Sequence, residues 1–128
     1  MNSRCALVVD DEPLLRQCLR DVLVAHSWTV TEACDGEDAL RVFTPGLFDV
    51  IVLDMMMPRR DGLETLRAIR EVDPNVAVLI VSGYAAPGSI QSALAMRPAA
   101  YLAKPFRASQ LLSAILSLLG ESVSPLAL

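Results

Sequence analysis

Cysteine is scarce in this sequence, and histidine scarcer still. The three cysteines, Cys5, Cys18 and Cys34, are an odd number with no CxxC spacing, which argues against a zinc site and against a disulfide framework. They read as free thiols that pack in a reducing compartment. The one histidine, His26, falls near the end of a helical pattern, where its expected partners are free backbone carbonyls. A phosphotransfer histidine stands exposed on a helical bundle, and this pattern is not a bundle. No apolar run reaches the roughly 20 residues needed to cross a bilayer. The run Ala6-Leu7-Val8-Val9 is too short for a signal-peptide core, and acids follow it at once. No excess of basic charge is present either: 15 acids against 11 bases give a net charge of −4, a weak argument against non-specific nucleic-acid binding. These absences lead us to expect a cytoplasmic domain with no membrane segment and no direct nucleic-acid contact.

What the sequence does have is apolar residues, 53% of 128, enough to bury a core in one domain. Short β-branched runs alternate with helical patterns. Strands are expected over residues 6–9, 28–33, 50–53, 76–81 and 101–103. Helices are expected from Pro13 to about His26, around Ala39, Leu40 and Phe43, around Leu63, Leu66 and Ile69, from Pro87-Gly88 to about Met96, and from an N-cap at Ser109 to Gly120. Asp35-Gly36, Pro45-Gly46 and Asp73-Pro74-Asn75 read as turns. Residues 121–128 show no period and are expected to fray, leaving a domain over residues 1–120.

Strands that are continuously apolar and alternate with helices imply a parallel sheet covered on both faces. In such sheets functional groups gather beyond the carboxyl ends of the strands. The first strand ends in Asp10 and Asp11, the third in Asp54, the fourth in Ser82 and the fifth in Lys104. Taken alone, Asp10-Asp11 reads as an acidic pair at a helix N-terminus, and Lys104 as a solvated lysine. Converged, three carboxylates repel one another and invite a hard divalent cation. Asp54 can attack a phosphoryl group as a nucleophile, Lys104 can supply a point charge, and Ser82 can donate a hydrogen bond to a phosphoryl oxygen. Gly83 leaves room for backbone N–H groups to approach.

Val8-Val9-Asp10-Asp11-Glu12-Pro13, Leu53-Asp54-Met55-Met56-Met57-Pro58, Gly62, Ser82-Gly83-Tyr84 and Tyr101-Leu102-Ala103-Lys104-Pro105-Phe106 together resemble the receiver domain of bacterial two-component response regulators. The resemblance covers residues 6–120. It implies an α/β, flavodoxin-like doubly wound (βα)5 fold in three layers, with a five-stranded parallel sheet in the order 2-1-3-4-5. It implies Asp54 as phosphoacceptor, with Lys104 and Ser82 beside the phosphoryl group. Mg²⁺ would be held by Asp11, Asp54 and the Met56 backbone carbonyl, with Asp10 assisting through a metal-bound water. Ser82 and Tyr101 would form the switch, although Tyr101 also reads as a packed strand aromatic. The implied donor is a sensor histidine kinase or histidine phosphotransfer protein. The output would be a shift of the face built by the fourth helix, fifth strand and fifth helix toward a downstream protein or output domain, with homodimerisation on phosphorylation as a further outcome. Catalysis would extend only to the chain's own phosphorylation and dephosphorylation.

Two departures stand out. Arg97-Pro98 replaces the Gly-Ala common before the fifth strand, which should alter the loop and the partner-facing surface near the fourth helix. Met56 and Tyr84 are bulky where the family's side chains flank the attacking water, which predicts slow autodephosphorylation. Three other readings are weaker. A Mg²⁺-dependent phosphohydrolase would carry a second acid where Met56 stands, and would need a substrate cap. A flavodoxin-like nucleotide binder would need a phosphate-cradling loop, where Asp10-Asp11-Glu12 would repel a phosphate. A degenerate receiver serving only as a docking module would lack one of the chemical positions, and all are filled.

Overall fold

The computed structural model describes residues 4–57, 61–83 and 87–120. Within them the chain alternates strictly: β1 (Arg4–Val9), α1 (Pro13–Ala25), β2 (Trp28–Ala33), α2 (Gly36–Val42), β3 (Val50–Asp54), α3 (Gly62–Val72), β4 (Ala77–Ser82), α4 (Pro87–Ala95), β5 (Ala99–Ala103) and α5 (Ala108–Leu118). The five strands form one parallel sheet in the order β2-β1-β3-β4-β5. This is the doubly wound (βα)5 architecture expected from the alternation.

Side chains alternate across each strand, so a continuously apolar strand feeds two cores. Leu7, Val9, Ile51, Leu53, Val78 and Ile80 pack on one face with Ala39 of α2, Leu66 and Ile69 of α3, and Ala93 of α4. Ala6, Val8, Val50, Val52, Leu79 and Val81 pack on the other with Leu19 and Leu23 of α1 and Leu111 and Ile115 of α5. The central strands β3 and β4 are buried throughout, whereas the edge strands β2 and β5 are only partly so.

Boundaries differ from the expectation where capping decides them. Asp35 is the N-cap of α2 rather than part of a free turn, its side chain accepting from the Asp38 N–H at 2.8 Å. α5 starts after Arg107, not at Ser109: the Gln110 side chain accepts the Arg107 N–H at 2.7 Å and the helix is already under way. β5 begins at Ala99, earlier than expected, because Val78 N–H reaches the Pro98 carbonyl at 3.0 Å and pairing starts there. With Arg97-Pro98 in place, β5 still pairs with β4 in register from Val78↔Ala99 to Ser82↔Ala103. The peptide bonds Arg97-Pro98 and Lys104-Pro105 are cis. His26 lies where expected, its Nδ1 2.9 Å from the Val22 carbonyl at the end of α1. Residues 121–128 lie outside the described residues.

The chain leaves β1 for β2 on one side and then crosses to β3 on the other. The strand order therefore reverses between β1 and β3, and the carboxyl ends of these neighbours frame a crevice.

Candidate functional site

The β1–α1 loop delivers Asp10 and Asp11 to that crevice, and β3 delivers Asp54 as its last residue. One carboxylate oxygen from each lies within 4.8 Å of the others. Asp10 and Asp54 are buried, while Asp11 is exposed at the mouth. Lys104, just past β5, closes the group: its Nζ lies 3.3 Å from Asp10 Oδ2 and 3.5 Å from Asp54 Oδ2. The contact joins residues 94 positions apart, and the parallel crossovers create it.

The two buried acids are held by backbone as well. Asp10 Oδ1 accepts the Glu12 N–H at 2.9 Å, and Asp54 Oδ1 accepts the Met56 N–H at 3.1 Å. Burial pushes the Asp54 carboxyl above its usual value. The Met56 N–H and the Lys104 ammonium pull it back, and the charges of Asp10 and Asp11 push it further up. A crowded, partly desolvated set of hard oxygen donors with an open mouth suits Mg²⁺, which keeps part of its water shell and takes a few carboxylates.

Ser82 ends β4 and is buried, and its carbonyl accepts the Lys104 N–H at 3.1 Å. The same carbonyl accepts the Tyr101 hydroxyl at 2.9 Å, so the two residues assigned to the switch are in direct contact. Tyr101 is 37% exposed, between the packed and the solvated extremes. The Met56 side chain is 57% exposed, and Tyr84, its expected companion beside the attacking water, lies outside the described residues. At Gly83 a Cβ would meet Lys104 Cβ at 3.5 Å, an ordinary contact, so space does not demand glycine there. At Gly62 it does: a Cβ would come within 2.6 Å of the Asp54 carbonyl oxygen and the Met55 Cα.

Sequence reasoning missed three contributors. Arg16 donates to the Asp10 carbonyl at 2.7 Å and to Glu32 at 3.2 Å. Glu32 is the second, a charge on an edge strand. Arg70 binds a set of backbone carbonyls at the opposite pole. The available signal was an arginine beside the apolar stripe of its helix, with half-buried placement to be expected; its partners were not readable.

A family model for the response regulator receiver domain matches residues 6–116. The chain belongs to that family. A response regulator of Mycobacterium ulcerans, MprA, is 36% identical over 113 residues, 88% of this chain and 49% of that protein. A receiver domain from Clostridium thermocellum is 33% identical with a TM-score of 0.79, covering 91% of this chain and 94% of that one. The response regulator TrrA of Thermotoga maritima, solved in complex with Mg²⁺-BeF, is 30% identical with a TM-score of 0.80, covering 90% and 98%. The chain spans about half the length of the curated relatives it matches. The fold is thus the flavodoxin-like fold of two-component receivers, and no helix among the described residues is long and apolar enough to cross a membrane.

Proposed function

We propose that this chain is a phosphoacceptor switch in which Asp54 takes a phosphoryl group from a phosphohistidine. The observation that carries this reading is the convergence of Asp10, Asp11 and Asp54 within 4.8 Å, with Lys104 bridging Asp10 and Asp54. A carboxylate oxygen of Asp54 attacks phosphorus. The P–N bond breaks, its electron pair returns to the donor imidazole, which takes up a proton, and an acyl phosphate forms on Asp54. The reaction's loose transition state asks mainly for positioning and counter-charge. Lys104 can turn from the acids toward a phosphoryl oxygen, and Ser82 can donate its hydroxyl to another. Mg²⁺, held by Asp11, Asp54 and the Met56 carbonyl with Asp10 behind them, would supply counter-charge to the phosphoryl oxygens when bound.

An open cleft of about 450 Å³ lined by Glu12, Leu15, Lys104, Pro105 and Phe106 adjoins the site and suits approach of the donor, a sensor histidine kinase or histidine phosphotransfer protein. Movement of Ser82 toward the phosphoryl group would alter the carbonyl that Tyr101 binds, which ties the site to the α4–β5–α5 face. That face would then bias a partner, an attached output domain or a second copy of the chain. Residues 1–120 form the receiver unit in this reading, working in the cytoplasm, and its catalysis extends only to its own phosphorylation state.

Amide spectra of the chain with beryllofluoride or a small phosphodonor, with and without Mg²⁺, test it. Metal-dependent shifts at the site and along α4, β5 and α5 are expected in wild type and absent in Asp54→Asn. Shifts that survive in Asp54→Asn would remove Asp54 from the role, and multiple turnover of a phosphate ester would make the chain a hydrolase.

A further inference from the structure

The β1–α1 loop carries two acids, and they are secured very differently. Asp10 is engaged at every polar group: its N–H reaches the Ala33 carbonyl at 3.2 Å, Oδ1 accepts from Glu12 at 2.9 Å, Oδ2 faces Lys104 at 3.3 Å, and its carbonyl accepts Arg16 Nη1 at 2.7 Å. Among the described residues nothing is hydrogen-bonded to the exposed Asp11 carboxylate, so its position follows from the backbone on which it stands. The Asp10 carbonyl belongs to the planar peptide unit that joins Asp10 to Asp11. A bond to that oxygen therefore sets the plane from which the Asp11 side chain departs.

The donor of that bond is itself aimed. Arg16 Nε donates to Glu32 Oε1 on β2 at 3.2 Å, and the other Glu32 oxygen lies 3.7 Å from Arg20 Nε. The Arg16 side chain is 18% exposed and Arg20 49%, so Arg16 is the less screened of the two. A guanidinium fixes two donor directions in one plane, which a lysine ammonium cannot do. Glu32 thus anchors one edge of the fork while the other reaches back over the first turn of α1 to the loop.

We propose that Arg16 is a positioning residue for Asp11. Held by Glu32, it keeps the Asp10–Asp11 peptide in the orientation that brings the Asp11 carboxylate into the group with Asp10 and Asp54. The inference rests on reading those carboxylates as the Mg²⁺ site. It treats Arg16 as acting through geometry, and not through its positive charge alone.

Mg²⁺ titrations of the full chain, followed by amide shifts, give the test, with metal-free thermal melting as the control for folding. Substitutions behind metal ligands commonly weaken affinity by roughly ten- to a hundredfold, and Arg16→Gln is expected to weaken Mg²⁺ binding by about tenfold. Arg16→Lys, which keeps the charge and loses the fork, should weaken it too, as should Glu32→Gln. Arg20→Gln removes the same charge from a more exposed place and should leave the Kd unchanged. Should Arg16→Gln fail to fold, Arg16→Lys and Glu32→Gln carry the same comparison. An unchanged Kd in these variants, beside a weakened Asp11→Asn, overturns the inference alone. An Arg20→Gln variant as weak as Arg16→Gln overturns it in favour of general charge. Absence of saturable binding in wild type, or wild-type binding in Asp11→Asn, overturns the Mg²⁺ reading itself.

Discussion

Asp54 is a carboxylate buried beside two others, with a single ammonium bridging to it. Burial raises its pKa above the ordinary 3.8, so the folded chain holds this proton more tightly than the unfolded one. An acid raised in this way destabilises the fold where it is ionised: stability falls as pH rises through the interval from 3.8 to the higher folded value, and the penalty is complete above that value. Asp54→Asn should therefore raise the melting temperature of the metal-free chain at neutral pH. The gain should shrink as pH is lowered through that interval, as melting in EDTA across a pH series would read. Arg70 shows the opposite use of a half-buried charge. Its guanidinium donates to the carbonyls of Met96, Asp73, Val76 and Pro98 at 3.0, 3.3, 2.7 and 2.9 Å, tying the connection before β4 to the one before β5. These connections lie at the pole opposite the acids. Arg70→Met should leave those carbonyls short of donors and lower stability by about 2–3 kcal/mol, measured by urea unfolding. Mg²⁺ affinity should be unaffected.

Among the elements, the start of α3 bears most directly on the site. Asp61 caps the helix, accepting the Glu64 N–H at 2.9 Å, and the Gly62 N–H reaches the Met55 carbonyl at 3.1 Å. The helix thereby presses against the backbone just after Asp54. A methyl group at Gly62 would lie 2.6 Å from the Asp54 carbonyl oxygen, so Gly62→Ala must displace the strand end that presents Asp54. Alanine's intrinsic advantage of about 1 kcal/mol in a helix cannot offset a backbone clash. Gly62→Ala is expected to lower both stability and the rate of phosphoryl acceptance from a small donor. Gly88→Ala in α4, where a Cβ would meet nothing within 4 Å, should be neutral or stabilising by up to about 1 kcal/mol, and serves as the control.

Across the whole molecule, two apolar cores clamp one sheet, and strand order decides which loops meet. A ligand that binds only the folded acids stabilises the entire domain by mass action, about 2.7 kcal/mol at a hundredfold excess over its Kd. Mg²⁺ should raise the melting temperature of wild type, EDTA should reverse the rise, and Asp11→Asn should abolish it. A melting temperature indifferent to Mg²⁺ would contradict the proposed metal role.

The alternation of buried apolar strands with amphipathic helices was legible in the sequence because side-chain periodicity is a local property. So was the placement of Asp10, Asp11, Asp54, Ser82 and Lys104, since each stands at or just past the carboxyl end of a strand. The start of α5 lies two residues before the expected cap at Ser109, because the Gln110 side chain accepting the Arg107 N–H, rather than the residue type at the cap, sets it; Asp35, expected in a turn, caps α2 with its own carboxylate. The tertiary structure alone decided what those polar residues touch. It set Lys104 between Asp10 and Asp54, Tyr101 on the Ser82 carbonyl, Arg16 between Glu32 and the Asp10 carbonyl, and Arg70 among carbonyls from two connections. These contacts join segments brought together by crossovers over the sheet, and a long flexible side chain has no periodicity that announces its distant partner.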